Sequence, residues 1–241
     1  MGMTAPPPHT GGLELAPPVL IRRSLTQSEL DRIIELHKAW LLRRAGGERA
    51  RLREFDLSCL DFSGRDLSDV DLGGATLAGA SLTGTKLSRA NLFAADLRGA
   101  NLEHAEFRRA DLRGARLGGA RISHALFIEA DLRSSARLYP RDGGAHPHSF
   151  GLTTELAGAV LEGARFPRAD LSFANLSGAT LVDADFTEAT LDGACLQDAD
   201  LTGACCRYAS LRGAELGGAT LVSADLTLAD LTGAKLDGTI R

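Results

Sequence analysis

The sequence predicts an all-β solenoid, a rod of stacked coils, preceded by one α-helix. Leucine, phenylalanine or isoleucine occupies every fifth position from Leu52 to Leu132, through seventeen positions. The same spacing runs through seventeen more positions from Leu156 to Leu236, where Cys206 is the single departure. On an α-helix, a period of five places successive leucines about 140° apart and leaves no apolar stripe, which argues against a helical bundle.

A column of small residues accompanies the large ones. In the second array, alanine lies two places before sixteen of the repeat centres, and Thr154 replaces it before the remaining one. Asp or Asn often stands directly before the centre, as at Asp96, Asn101 and Asp170. Leu and Ala are therefore expected to point inward, while Gly, Asp, Asn and Ser supply turn geometry at the corners.

The pattern A(D/N)LXX, present as ADLRG, ANLEH, ADLSF and ANLSG, resembles the pentapeptide-repeat family over residues 50–134 and 155–241. The resemblance implies a right-handed quadrilateral β-helix, in which each repeat forms one side and four repeats form a coil of about twenty residues. Coils of such a helix stack at roughly 4.8 Å.

Residues twenty apart should then lie in columns. We expect Phe107 to stack on Phe127, and Phe166 on Phe186 with Cys206 above. The same rule places His104 and His124 together on an outward face. They could bind a metal or sense pH, but two ligands without a third favour plain surface residues.

The same register predicts a vertical ladder of Asp71, Asn91, Asp111 and Asp131. We interpret these side chains as turn formers, with Arg113 and Arg133 relieving the repulsion. The alternative is an acidic stripe that a partner recognises.

Residues 133–155 break the frame, because Leu132 and Leu156 lie nineteen residues further apart than one regular step. Pro and Gly at four positions predict a loop over 135–154, and loops this long are usually functional or disordered. We expect its exposed residues to bind a partner: Tyr139, Arg141, Asp142, His146, His148 and Phe150.

A helix is predicted over residues 24–46. Thr26 and Glu29 have the spacing of a capping box, and Leu25 with Leu30 can form a hydrophobic staple. The first coil departs from the alanine pattern, so we expect the helix to cover its open lower end. The apolar face includes His37 and Trp40, which are interpreted as cap packing.

The chain thus divides into a disordered N-terminus (1–23), the capping helix (24–46), a first array (47–134), the loop (135–154) and a second array (155–241).

A convex rod filled with Leu and Ala offers no pocket, and no catalytic, phosphate-binding or metal motif appears in the sequence. We therefore expect no enzyme activity, cofactor or metal. No apolar run approaches the ~20 residues of a membrane span. Four cysteines without metal spacing and an N-terminus unlike a signal peptide indicate a cytoplasmic protein.

The formal net charge of −4 argues against direct nucleic-acid binding. Residues 51–134 hold twelve basic and twelve acidic side chains, whereas residues 156–241 hold six basic and twelve acidic ones. The sequence predicts a scaffold or protein–protein interaction module whose partner is unidentified.

The resemblance supplies an alternative, because quinolone-resistance members of the family protect DNA gyrase and topoisomerase IV with a rod of duplex-like width and charge. This sequence departs from them in its weak total charge, its regular alanine columns and its lack of a C-terminal dimerisation helix. Its last coil should expose unpaired backbone, and we expect a homodimer joined there.

Overall fold

The computed structural model describes residues 23–134 and 153–241. One α-helix, α1, spans Gln27–Leu41, within the range that the sequence predicts. The described arrays pair through single parallel bridges five residues apart, and each bridging residue pairs with the one twenty positions later. Four bridges therefore complete a coil, which confirms the four-repeat solenoid. The right-handed winding stays a prediction.

The solenoid has four faces, which we number by the bridging residue that begins each one in the first coil. The first face begins at Arg51, the second at Asp56, the third at Asp61 and the fourth at Asp66. Within the arrays a two-residue turn follows the bridging residues, except at Asp131 and at the final bridge, and the second residue of the turn has positive φ. Side chains at the bridge and turn positions face outward, whereas the repeat centres and most of the alanines are buried.

The predicted column of aromatic rings is confirmed. Phe107 and Phe127 stack with ring centroids 4.6 Å apart, and Phe166 and Phe186 stack at 5.0 Å. Cys206 is buried in the layer above. Rings that meet rings in successive coils keep the core evenly filled, as the close packing of protein interiors requires.

The two arrays form one continuous rod. Arg116 bridges Glu155 and Asp131 bridges Asp170, so the partner lies thirty-nine positions ahead instead of twenty. Nineteen residues have been added between the arrays without changing the phase of the coils. Most of them, like residues 1–22 of the predicted disordered N-terminus, lie outside the described residues.

Glycines at the corners make room for side chains from the coil before. The ring of Phe173 lies where a Cβ on Gly193 would be, and the carboxylate of Asp183 lies over Gly203 in the same way. These glycines also have positive φ, 64° at Gly193. The glycine therefore serves both the turn and the neighbour that leans over it.

Helix α1 covers the first coil. The Thr26–Glu29 capping box is present, as predicted. The carboxamide of Gln27 donates from Nε2 to the Asp61 carbonyl and accepts from the Asp61 N–H through Oε1, both at 2.9 Å. It thus replaces a backbone carbonyl and a backbone N–H of a preceding coil, as the Ala50 carbonyl and the Leu52 N–H pair with Asp71, and it protects an edge that would otherwise be open.

His37 completes the cap. Its Nδ1 accepts from the Ala50 N–H at 3.1 Å, so Nε2 carries the proton that is donated to the Ser68 carbonyl at 3.0 Å. The imidazole is buried and stacks on Trp40 with centroids 5.5 Å apart. Burial lowers the pKa of His37, which favours its neutral form. The interpretation of this pair as cap packing is confirmed.

Candidate interaction surface

The six predicted partner-binding residues of the loop lie outside the described residues: Tyr139, Arg141, Asp142, His146, His148 and Phe150. The structure describes the junction instead, where the chain leaves the rod after Ser134 and is described again from Thr153. The rod presents this segment at the corner that ends the first face.

Thr154 repairs the backbone at this junction. In the coil below, the Ala94 N–H donates to the Arg113 carbonyl at 3.0 Å. One coil higher, the Gly114 N–H donates instead to the hydroxyl of Thr154 at 2.9 Å, and that hydroxyl lies 3.2 Å from the Arg133 carbonyl. The hydroxyl therefore bridges the broken ladder. The sequence marked Thr154 only as a departure from alanine and assigned it to the loop, whereas it is wholly buried.

One concave site lies at the capped end of the rod. A shallow groove lies between α1 and the first coil, lined by Ile33, Leu36, Trp40, Arg49 and neighbouring residues. It contains no nucleophile beside a base, the arrangement that covalent catalysis needs.

One cysteine and the candidate metal ligands can be assessed among the described residues. Burial raises the pKa of the Cys206 thiol to about 12, so this cysteine is a packing residue. Within residues 23–134 and 153–241, no three His, Cys, Asp or Glu side chains converge to hold a metal ion.

His104 and His124 stack on the outward surface, as predicted, with ring centroids 5.3 Å apart and ring planes 14° apart. The ring of His124 lies over Gly163, at the place where a Cβ would be. Glycine in the next coil thus accommodates the upper ring. No third ligand lies beside the two imidazoles in the part of the chain that the structure describes, which fits their interpretation as surface residues.

The predicted acidic ladder is present and largely neutralised. Asn91 donates to Asp71 at 2.8 Å, and the bridges continue the ladder through Asp111 and Asp131 to Asp170. Arginines interleave with the carboxylates: Arg113 binds Asp111 at 2.7 Å and reaches Asp131 at 3.6 Å, and Arg133 binds Asp131 at 2.7 Å and reaches Asp170 at 3.5 Å. The carboxylates of Asp111 and Asp131 also accept the N–H two residues later, which confirms their role in the turns.

A charged surface that the sequence analysis missed lies on the fourth face. Four consecutive rows of this face, residues 86–89, 106–109, 126–129 and 165–168, form what we call the basic segment. Six cations stand against two anions there. The total charge of an array does not show how its charges divide among the four faces. The cations are Lys86, Arg89, Arg108, Arg109, Arg165 and Arg168; the anions are Glu106 and Glu129.

Ion pairs hold part of the basic segment in place. Glu129 binds Arg109 at 2.6 Å and Arg168 at 3.2 Å. The hydrogen bond from Arg109, assisted by the charge of Arg168, holds the pKa of Glu129 below its usual value. Lys86 and Arg108 have no ion-pair partner among the described residues, so their charge is directed to solvent.

The rod, its filled interior and its outward columns define a β-solenoid repeat protein that presents chemistry on flat faces. The family model for pentapeptide repeats matches the sequence in overlapping copies over residues 55–127 and 154–240. The chain belongs to the pentapeptide repeat family. No helix among the described residues is long and apolar enough to cross a membrane.

Several solved structures are similar to this chain. HetL, a pentapeptide repeat protein involved in heterocyst differentiation regulation from the cyanobacterium Nostoc sp. strain PCC 7120, is 36% identical, with 80% of this chain and 82% of that chain covered and a TM-score of 0.48. Full-length QnrB1, a plasmid-mediated fluoroquinolone resistance protein, is 20% identical, with 80% and 92% covered and a TM-score of 0.45. A thylakoid-lumen pentapeptide repeat protein from Arabidopsis thaliana is 28% identical, with 52% and 71% covered and a TM-score of 0.34. Among curated proteins, none matches this sequence.

Proposed function

We propose that this chain is a non-enzymatic scaffold that binds another protein through its outward faces and through the segment inserted between its arrays. One observation carries the proposal: the described interior is packed with apolar side chains, while the polar chemistry lies in outward columns with fixed register. Such a rod can present side chains at set spacings but encloses no substrate. The free thiols support a reducing compartment, and we place the protein in the cytoplasm.

The inserted segment is proposed to carry recognition, through Tyr139, Arg141, Asp142, His146, His148 and Phe150. The register of the coils gives a sharp test. Deleting residues 135–153 joins Ser134 directly to Thr154 and restores a regular coil, so the rod itself should be unchanged. A second variant keeps the length of the segment but scrambles its sequence.

Tagged full-length protein and both variants are compared in pull-downs, and each protein recovered is tested again with purified components. We expect the full chain to retain a partner that the deleted and scrambled variants both lose. Equal recovery by all three proteins would refute the segment as the recognition element. Circular dichroism confirms that the variants are folded.

The second candidate is a modulator of DNA gyrase or topoisomerase IV that imitates duplex DNA. It is favoured by the acidic second array, where Glu162, Asp183, Asp198 and Asp200 have no ion-pair partner among the described residues. The net charge of the second array, −6, is small compared with that of duplex DNA, which carries one charge per ~1.7 Å of its axis. Purified protein should then alter gyrase supercoiling or relieve quinolone inhibition at micromolar concentration, with the inserted segment required. No effect across a wide titration excludes this candidate and leaves the scaffold.

The last coil is proposed to join two copies of the chain. Leu226, Leu231 and Leu236 are only partly buried, whereas the centres of inner coils are fully buried. Two copies meeting at this coil around a two-fold axis would cover those leucines. Both second arrays are acidic, so the dimer should strengthen as salt increases. Light scattering coupled to size exclusion tests this, and a monomer throughout the micromolar range, or a dimer that survives truncation before Leu221, would contradict it.

A further inference from the structure

We propose that the basic segment of the fourth face is a docking surface for a short acidic peptide that also carries apolar side chains. This inference rests on the proposed scaffold function and names the chemistry of one partner. It concerns described residues of the rod and is independent of the inserted segment.

The charge of the basic segment opposes that of the whole protein. Its four rows carry a net +4, whereas the chain carries −4. Two of the six cations, Arg89 and Arg165, pair with Asp69 and Asp185 of the adjoining rows. The side chains of Arg109 and Arg168 are 63% and 59% exposed although both contact Glu129. Together with the unpaired Lys86 and Arg108, they leave exposed positive charge on these rows, which attracts carboxylates and accelerates their encounter with the surface.

An apolar strip crosses the middle of the segment. Leu126 and Ile128 occupy a bridge position and a turn position that hold mostly polar or charged side chains in the other coils of this face. Pro167 lies beside Ile128 in the next coil. Both Leu126 and Ile128 are partly exposed. Apolar contacts surrounded by arginine are the usual composition of a protein-binding surface, in which the centre excludes water and the charged rim gives specificity.

The dimensions favour a peptide over nucleic acid or membrane. Acidic rows bound the segment at both ends, with Asp66 and Asp69 below and Asp185 and Glu188 above. Four rows span about 14 Å, which an extended chain crosses in roughly four to five residues. A duplex or a lipid surface would continue over the acidic rows and be repelled. Neither the phosphate backbone nor a lipid headgroup would use the apolar strip.

Binding is tested with the full chain and a fluorescein-labelled hexapeptide of alternating glutamate and leucine, followed by fluorescence anisotropy. Hexaglutamate, a twelve-nucleotide oligothymidine and phosphatidylserine vesicles are compared as probes. The fourth-face variant is Arg108→Glu with Arg165→Glu. The matched control is Arg98→Glu with Arg116→Glu, which changes the net charge equally on the second face.

We expect saturable binding of the alternating peptide, weaker binding of hexaglutamate, and a loss of about tenfold or more in the fourth-face variant, with much less in the control. Leu126→Ser with Ile128→Ser should also weaken binding of the alternating peptide. If the charge-reversed variant unfolds, Arg108→Gln with Arg165→Gln replaces it.

Three results would overturn the inference: no saturable peptide binding, equal loss in the control, or tighter binding of oligothymidine or vesicles. A partner recovered by the full chain and retained by the fourth-face variant would leave the scaffold standing while this surface fails.

Discussion

Phe127 and Phe166 stack with ring centroids 4.7 Å apart and ring planes 10° apart, although thirty-nine positions separate them in the chain. They join the aromatic pairs of the two arrays into one column of four rings. The second array is therefore set in phase by direct packing on the first, and the rod has a single continuous core.

Replacing Phe166 with alanine should reduce the free energy of unfolding by about 3–5 kcal/mol, because the cavity would open between two other rings. Phe166→Leu should cost much less, since leucine occupies the same inward position in other coils. Urea unfolding followed by circular dichroism measures both. Because the core is continuous, one cooperative transition is expected for the wild-type chain, and separate transitions for the two arrays would contradict it.

Replacing Thr154 with valine should cost about 1–3 kcal/mol, because the Gly114 N–H would lose its partner in a buried place. Thr154→Ser keeps the hydroxyl and should cost less. Hydrogen exchange at the Gly114 amide provides a local measurement. Similar protection of that amide in the valine and serine variants would show that the bridging hydroxyl is unimportant.

Two glycine substitutions separate the cost of backbone conformation from the cost of a clash. Gly178 and Gly193 have φ of 61° and 64°, but nothing lies within 4 Å of a Cβ at Gly178, whereas the Phe173 ring occupies that place at Gly193. Gly178→Ala should cost about 1 kcal/mol, and Gly193→Ala should cost more. Adding Phe173→Ala should remove the difference, and a thermodynamic cycle measures the coupling. Equal costs for the two glycines would contradict the packing of Phe173 on Gly193.

Lowering the pH should destabilise the cap through His37. Burial lowers the pKa of His37, although the hydrogen bond to the Ser68 carbonyl and the nearby Asp66 and Asp69 favour its charged form. The charge of Arg49 adds to the lowering. Below the ordinary value of about 6.5, the unfolded chain binds a proton that the folded chain does not. Stability therefore falls as pH decreases from there toward the lowered pKa, by at most about 1.4 kcal/mol per pH unit. Protonation of Nδ1 would also break the hydrogen bond that it accepts from the Ala50 N–H.

Exchange of the Ala50 amide and the free energy of unfolding, both measured between pH 7.5 and 5, test this expectation. His37→Gln retains a donor and an acceptor without the titration and should flatten the pH dependence. The same slope in both proteins would assign the effect to other groups.

The five-residue spacing of the leucines was enough to argue against a helical bundle, and the resemblance to pentapeptide repeats supplied the four-sided coil. Columns such as Phe107 on Phe127 followed from the twenty-residue coil that the resemblance implies. The stacking of Phe127 on Phe166 did not, since the sequence gives the surplus of nineteen residues but not where the coil resumes.

Other features depended on side-chain direction. Thr154 and Gln27 act through hydrogen bonds to distant backbone, which no local pattern reveals. The basic segment emerges only when Lys86, Arg108 and Arg165 are assigned to one face of the rod.

Because Thr154 resumes the coil that Ser134 leaves, the length of the rod does not depend on the length of the segment inserted between them. The inserted segment can change in length or sequence at this corner while the side chains of the coils on either side keep their spacing. A partner that reads both arrays at once would therefore be unaffected by change in the segment between them. The sequence of the inserted segment can therefore change independently of the spacing between the two arrays.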